Sequence, residues 1–372
     1  MGGEVRRVSG RPRATFVRLK KTALTLLQIV VTVLLLWLVF RDPAKRAEMV
    51  YALGHAHVGW LLAGLAAYGL VELLSAIRWQ WLLRVQSIDL SWSRVLLLTL
   101  IGVFFNFFIP GGTGGDVVKI YYLLKETPGQ KSLALLSVLV DRIIGLLGLA
   151  ILAAVLIGTR WSWLTSTPET AQYVWPAIII LIFTVGGIHF SWMVSRRGLV
   201  HKLPARFPGR DKLAELALAY TLYGRAWRTS LAGLVLSIIA HLAFFAVFYC
   251  AARALDHDGI RLPTFGELSV IMPIVNVLAA MPISLGGLGV REGLFQVFLN
   301  RLCGVSEAVA VVISSTGYFL MLIWGIGGGL LYWFYRPSEH ARLRDIAAAV
   351  EKEEHSVAEE EVALEIAKED QH

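Results

Sequence analysis

Two motifs in this sequence combine a proline, a glycine cluster and nearby charges within otherwise apolar sequence. They occupy residues 106–119 and residues 282–292. In both, a Gly-Gly pair follows the proline by four and five residues, and a cation follows it by nine. Backbone N–H groups, guanidinium and ammonium groups in such a pattern are suited to holding phosphate or another anionic group. The ligand-binding candidates are Asn106, Pro110, Gly111, Gly112, Gly114, Gly115, Asp116, Lys119, Pro282, Gly286, Gly287, Gly289, Arg291 and Glu292.

Three further ionisable residues, Glu72, Asp141 and Arg142, lie within apolar segments and join this candidate set. Asp141 and Arg142 are neighbours, so on a helix they point about 100° apart and cannot pair with each other. Each needs a different partner, and the two motifs are the candidates. The set holds three cations and four anions, which fits either a structural charge network or a site for an anionic ligand.

The first glycine cluster has several interpretations. A phosphate loop of the nucleotide-binding kind needs Gly-x4-Gly-Lys followed by Ser or Thr, which is missing here. A dinucleotide fingerprint needs a strand before it, and no strand pattern precedes the cluster. Close helix packing remains open, but the adjoining proline and charges favour a functional turn that presents its backbone to a ligand.

Composition places the chain in a membrane. It has 372 residues, of which 56% are hydrophobic and 17% are charged, whereas soluble domains carry about 25% charged residues. The net charge of +8 is explained by basic loops beside anionic lipid better than by nucleic acid. Cys250 and Cys303 are far apart, so neither a disulfide framework nor a zinc site is predicted.

Apolar periodicity predicts six full spans, near residues 22–40, 58–78, 133–158, 173–194, 230–252 and 306–335. Arg78, Trp79, Trp81 and Arg84 at the end of the second span are typical of an interface belt. Segments 95–125 and 266–302 are each interrupted by a proline and glycines, and their apolar arms are too short to cross. Because lipid cannot satisfy the exposed backbone of such breaks, we expect two re-entrant hairpins.

The distribution of charge predicts the orientation. Residues 1–21 carry seven Lys or Arg, so this basic N-terminus is expected to be cytoplasmic. Residues 22–335 form the polytopic transmembrane domain, and residues 336–372, with 11 acidic residues, form a charged cytoplasmic tail. The predicted fold is an all-α integral membrane protein of the inner or plasma membrane. Its six full spans and two oppositely entering re-entrant helical hairpins are arranged like an inverted repeat.

Four pieces of the sequence carry a resemblance to a known family. They are Arg78-Trp79, the motif from Asn106 to Lys119, Val140-Asp141-Arg142, and the motif from Pro282 to Glu292. Together they resemble the lysylphosphatidylglycerol synthase transmembrane-region family, also called flippase-like domain proteins, over roughly residues 20–335. The resemblance implies a helical bundle with two re-entrant segments that handles lipids. The soluble aminoacyltransferase domain of some relatives is not expected, since 36 residues follow Arg336.

Three functions remain open on these grounds. The first is a flippase or transporter for a phospholipid or polyisoprenoid-type lipid, whose anionic head group would contact the candidate residues. The second is a non-catalytic membrane partner of a lipid- or glycan-modifying enzyme. The expected partners are membrane lipids together with either such an enzyme or further copies of the chain in a homo-oligomer. The third is an integral-membrane transferase, in which Asp116 and Glu292 meet across the hairpins as an acid-base pair. No cofactor and no metal are expected.

Overall fold

The computed structural model describes residues 41–108, 114–126, 131–197, 210–256, 261–281 and 283–334, together with Val30, Val31, 33–35 and Trp37. These residues form twelve α-helices and one 3-10 helix, Leu285–Gly287. The α-helices are α1 Pro43–Gly54, α2 Val58–Val85, α3 Trp92–Phe108, α4 Gly114–Glu126, α5 Lys131–Thr159, α6 Trp161–Leu164, α7 Pro168–Arg196, α8 Arg210–Arg225, α9 Trp227–Ala254, α10 Phe265–Ala279, α11 Val290–Cys303 and α12 Glu307–Phe334.

Five of these helices, α2, α5, α7, α9 and α12, are long and apolar enough to cross a bilayer. A helix of 28 residues extends about 42 Å, which exceeds the roughly 30 Å of hydrocarbon in a membrane. They confirm five of the six predicted spans. The remaining span, residues 22–40, lies mostly outside the described residues.

The two interrupted segments form pairs of shorter helices. α3 has 17 residues and α10 has 15, so they extend only about 26 and 22 Å. α3 packs against α4, and α10 packs against α11. In the first pair the helices run antiparallel. Asn106 of α3 contacts Gly115 of α4, whereas Gly102, one turn earlier in α3, contacts both Gly115 and Lys119, one turn later in α4. Pro110, Gly111, Gly112 and Pro282 lie outside the described residues.

The centre of the bundle is an antiparallel pair of long helices, α2 and α9. His57 N donates to Ala254 O at 2.7 Å at one end, and Arg78 reaches Ser237 at the other. Each of these helices is followed by a short pair and then by another long helix. α12 packs on α3 of the first half, just as α5 packs on α10 of the second half. The two halves therefore share one element order and one contact pattern.

Capping residues define where several helices begin. Thr264 and Glu267 form a capping box at α10, and Thr167 caps α7 ahead of Pro168. Asp42 caps α1, a helix that the sequence pattern did not predict and that packs against α12. The amphipathic helix α8 lies between the long helices α7 and α9 and packs against both.

Tyr223 attaches α8 to the end of α2. Its hydroxyl donates to Leu82 O at 3.0 Å and accepts a hydrogen bond from Gln86 Nε2. Burial raises the pKa of the Tyr223 phenol well above its ordinary value. The phenol therefore stays protonated and remains a donor to Leu82 O at any physiological pH.

The closest approach of α12 to α3 depends on Gly328. A Cβ placed there would lie 2.0 Å from Leu100 O, whereas a Cβ on the neighbouring Gly327 would meet nothing within 4 Å. Both substitutions to alanine raise helix propensity equally. We therefore expect Gly328→Ala to lower the free energy of unfolding by about 1–3 kcal/mol, because the clash with a backbone atom forces the helices apart.

Thermal unfolding monitored by size-exclusion chromatography in detergent measures this effect. Gly327→Ala is the matched control and should unfold at or above the wild-type temperature. Equal behaviour of the two variants would contradict the packing assigned to Gly328.

Candidate functional site

The first Gly-Gly pair allows α3 and α4 to approach closely. A Cβ on Gly115 would lie 2.3 Å from Gly102 O, so only glycine fits this contact. Asn106 Oδ1 accepts a hydrogen bond from Gly115 N at 2.9 Å and ties the two helices together at the break. Gly114 and Gly115 are buried, and Asp116 follows in the first turn of α4. The pair thus supplies a rigid support for the charges that follow it.

Arg142 takes its partner from this first helix pair. Its Nε donates to Asp116 Oδ2, and the two side chains are 47% and 18% exposed. The prediction that Arg142 pairs with one of the two motifs is consistent with this contact. The half-exposed guanidinium remains accessible at the edge of the site.

Asp141 pairs elsewhere, which corrects the expectation that its partner would come from a hairpin. Arg78 of α2 donates to it twice, from Nε to Oδ1 at 2.7 Å and from Nη2 to Oδ2 at 3.0 Å. The third nitrogen, Nη1, donates to Ser237 Oγ of α9 at 2.7 Å. This buried bidentate ion pair therefore joins α2, α5 and α9.

Two of the four residues predicted to form an interface belt lie elsewhere. Arg78 and Trp79 are buried inside the bundle, at 9% exposure and at none, whereas Trp81 is half-buried and Arg84 is exposed. An arginine near the end of an apolar span resembles an interface anchor in sequence. Here the aspartate and the serine satisfy its donors, so it can lie among the helices.

Lys119 and Glu72 form a second group beside this ion pair. Lys119 Nζ lies 5.0 Å from the centroid of the Trp79 ring, which is within cation–π range. The Glu72 carboxylate is buried at 8% exposure, next to the Tyr68 hydroxyl. Lys119 and Arg78 are close enough for their charges to act on it. Three helices thus contribute to one cluster of charges.

The second motif forms a tight loop of left-handed glycines between α10 and α11. Gly286, Gly287 and Gly289 have φ of 59°, 75° and 81°, a region that only glycine adopts readily. A Cβ on Gly287 would also lie 2.8 Å from Ala279 O. The glycines at these positions are therefore required by the backbone itself.

This loop positions Arg291 and Glu292. Arg291 Nη2 donates to Gly286 O at 2.9 Å, and the guanidinium lies 4.7 Å from the centroid of the Tyr318 ring. Glu292 Oε2 accepts from Gly289 N at 2.6 Å, and Oε1 accepts from Ser314 Oγ at 3.2 Å. Glu292 is thus engaged in its own half and Asp116 is engaged by Arg142, so these contacts do not form the acid-base pair considered from the sequence.

Tyr68 connects the two groups of charges. Its hydroxyl lies next to Glu72 and within electrostatic range of Tyr318 and Arg291. A series of polar residues therefore extends from Asp141 and Arg78 through Glu72 and Tyr68 toward Arg291. We use "polar seam" below for this series together with Lys119, Asp116, Arg142, Tyr318 and Glu292.

The two short helix pairs are joined by a third element. Within the described ranges they make no extensive contact with each other, and α12 packs against both α3 and α11. The direct meeting expected from the sequence is thus replaced, in this part of the chain, by contact through α12 and Tyr68. The described residues also contain no group of three His, Cys, Asp or Glu placed to hold a metal ion.

Arg78, Tyr68 and Tyr318 of the polar seam, and the serines Ser237 and Ser314 that bind its charged residues, were not predicted as site residues from the sequence. Tyr68 lies four residues before the predicted Glu72, a spacing that places both on one helix face and is a detectable signal. Ser237, Ser314 and Tyr318 carry no such signal, since serines and tyrosines are common in apolar helices. Their roles depend on which helices become neighbours.

The fold and the buried charges define a polytopic, all-helical membrane protein with a polar seam between its helices. A family model described as "Lysylphosphatidylglycerol synthase TM region" matches residues 25–325, and the chain belongs to that family. It is 24% identical over 314 residues to a UPF0104 membrane protein of Pyrococcus horikoshii, covering 80% of this chain and 91% of that protein. A UPF0104 membrane protein of Methanocaldococcus jannaschii is 30% identical over 76 residues, or 20% of this chain and 23% of that protein.

The Arg78–Asp141 pair generates a prediction about stability. Asp141→Asn leaves a buried guanidinium without its counter-charge and should cost about 3–5 kcal/mol of unfolding free energy. Arg142→Gln breaks an ion pair whose arginine is half exposed and should cost less than about 1 kcal/mol. Detergent-based thermal melting of the purified variants compares the two.

A double variant tests whether the loss comes from the uncompensated charge. Arg78→Met combined with Asp141→Leu removes both charges and should recover most of the stability that Asp141→Asn loses. If Asp141→Asn is as stable as Arg142→Gln or more stable, the assignment of Arg78 and Asp141 as a buried ion pair is wrong.

Proposed function

We propose that this protein is a lipid transporter, a flippase that moves a phospholipid or a polyisoprenoid-type lipid across the cell membrane. The observation that carries the proposal is the polar seam inside a bundle of apolar helices. An uncompensated charge at membrane depth costs several kcal/mol, so charges retained there usually pair or act on a polar ligand. A lipid head group crossing the bilayer needs such a polar path, while its chains can remain in the hydrocarbon.

The seam has the chemistry required to hold an anionic head group. It contains guanidinium and ammonium donors, which suit phosphate oxygens. Its carboxylates hold those cations in place, as Asp116 does for Arg142. The family assignment supports a function in lipid handling, and the proposal includes no chemical step, cofactor or metal.

We interpret the two short helix pairs as re-entrant hairpins that enter from opposite faces. Two features support this interpretation: their arms are shorter than the hydrocarbon core, and the antiparallel helices α2 and α9 precede them in equivalent positions. Antiparallel halves with one contact pattern are the arrangement expected of an inverted repeat, in which the two halves rock about a central site. We place both termini on the cytoplasmic side on the basis of the loop charges.

A second candidate function is that of a membrane partner for a modifying enzyme. The observation that favours it is the face of α7, where Ile182, Phe183 and Phe190 are 64%, 75% and 61% exposed. Lipid or a protein can cover such a face. Under this alternative a stoichiometric partner co-purifies, and the charges of the polar seam are dispensable.

Lipid movement by the purified protein tests the first proposal. In proteoliposomes carrying fluorescent phosphatidylglycerol or phosphatidylcholine, wild-type protein should expose inner-leaflet lipid to dithionite faster than protein-free vesicles do. Lys119→Ala, Arg142→Ala and Arg291→Ala should each slow this movement on the order of tenfold, because each removes a charged donor.

Arg253→Gln is the matched control for this assay. Arg253 also lies over an aromatic ring, at 5.7 Å from Trp60, and pairs with Asp256 at 2.9 Å, but it is not part of the polar seam. Its variant should move lipid at the wild-type rate. The proposal is wrong if wild-type protein moves none of a panel of anionic, zwitterionic and polyisoprenoid lipids.

Cysteine labelling tests the re-entrant interpretation. Ile283 is 46% exposed on the protein itself, so slow labelling of a cysteine there would indicate shielding by the bilayer. In a background with Cys250→Ala and Cys303→Ala, we expect Ile283→Cys to react slowly with a membrane-impermeant maleimide in both right-side-out and inside-out vesicles. Labelling should recover once the membrane is dissolved in detergent.

Cysteines at Ser166 and Asp89, two exposed residues between helices, provide the fast references for opposite faces. The re-entrant interpretation is wrong if Ile283→Cys labels as fast as one of these references in intact vesicles. That result would mean that the second loop lies in water.

A further inference from the structure

Arg291 differs from Arg78 because one of its buried nitrogens has no acceptor among the described residues. Its side chain is buried at 8% exposure, and Nη1 has no hydrogen-bond partner among the described residues. Arg78 uses all three of its guanidinium nitrogens, two on Asp141 and one on Ser237. A buried charged donor that makes no hydrogen bond is costly, so its retention indicates an absent acceptor.

Glu292 does not provide that acceptor. Its oxygens receive hydrogen bonds from Gly289 N and Ser314 Oγ. It therefore serves to fix the start of α11 and to attach it to α12. Among the described residues, the Arg291 guanidinium contacts a peptide carbonyl, that of Gly286, and the face of the Tyr318 ring.

A second polar group on the same loop also lacks a partner. Ser284 Oγ is buried, with the side chain at 6% exposure, and makes no hydrogen bond within the described residues. The start of α11 adds N–H groups without intrahelical acceptors and a partial positive charge. Hydroxyl, guanidinium and backbone donors on one short loop are a set that matches the several oxygens of a phosphate.

The loop is open on one side, and that side is apolar. Gly286, whose carbonyl receives Arg291, is exposed. Met281 and Ile283 next to it are 38% and 46% exposed. A ligand that reaches the Arg291 guanidinium from this side therefore meets hydrocarbon beside the donors. Such a surface suits an amphiphile better than a free ion.

We propose that the loop from Ser284 to Arg291 is the binding site for the phosphate group of a lipid. The phosphate oxygens accept hydrogen bonds from Arg291 Nη1 and Ser284 Oγ, and the chains lie against Met281 and Ile283. The identification of the ligand as a lipid rests on the proposed transport function. The choice of donors does not rest on that function, since Arg291 Nη1 and Ser284 Oγ are identified by their lack of hydrogen-bond partners within the described residues.

Native mass spectrometry of the full-length protein in detergent tests the site. The probes are dioleoyl phosphatidylglycerol and dioleoylglycerol, which share their chains and differ in the phosphate-containing head group. Wild-type protein should retain the first lipid and not the second. Arg291→Gln should weaken retention of phosphatidylglycerol on the order of tenfold or more, and Ser284→Ala by a few fold, because each removes one donor. Arg253→Gln is the control and should bind as wild type does.

Conservative variants keep the test decisive if Arg291→Gln does not fold. Arg291→Lys retains the charge but not the fork of donors, so it should bind phosphatidylglycerol more weakly than wild type. Wild-type binding by both Arg291→Lys and Ser284→Ala would overturn the site. Equal retention of dioleoylglycerol would overturn it too, and displacement of the lipid by millimolar inorganic phosphate would show that the site takes a soluble anion instead.

The binding and transport results can fail separately. Loss of binding in Arg291→Gln together with wild-type protein that moves no lipid would keep the site and reject the transporter. Lipid movement by wild-type protein with unchanged binding in the Arg291 and Ser284 variants would keep the transporter and reject the site.

Discussion

Charge inside an apolar bundle must be compensated, and this constraint determines how the helices of this protein are arranged. The Arg78–Asp141 pair sits where α2, α5 and α9 meet, and Ser237 completes the donor set of the arginine. Moving any one of these helices would leave a buried charged group without one of its partners and away from water. A buried ion pair contributes little net stability relative to apolar packing, but it penalises other arrangements strongly. It therefore specifies one set of neighbours for the central helices.

Glycine makes this arrangement sterically possible. A Cβ on Gly148 would lie 2.7 Å from Ser237 Cβ, so the absence of a side chain brings α5 and α9 close enough for Ser237 to reach Arg78. Gly115 does the same for the first helix pair, and its neighbour Lys119 consequently lies over Trp79. In both places the small size of a glycine allows two helices to approach, and a polar contact depends on that approach. Small residues at helix interfaces are the usual means of close packing in membranes.

The sequence was sufficient to predict the apolar helices and the two interrupted segments, and it limited the partner of Arg142 to one of the two motifs. These features depend on local pattern and on short spacing along the chain. The partner of Asp141 was not predictable in the same way. Arg78 lies 63 residues away, near the polar end of a span where sequence pattern alone indicates an interface anchor. Tyr68 and Tyr318 joined the site only because α2 and α12 pack together, a property of the assembled bundle.

The two halves use similar motifs but compensate their charges differently. In the first half, Asp116 and Asp141 neutralise arginines directly, and Glu72 is within electrostatic range of Lys119. In the second half, Arg291 faces a carbonyl and an aromatic ring. A side chain that binds and releases a ligand must give up its contact within the protein each time the ligand binds. A weak internal contact is given up more easily than a buried ion pair. The Arg78–Asp141 pair of the first half is therefore suited to hold the bundle together, and under the proposed function Arg291 of the second half is suited to accept and release an anionic group.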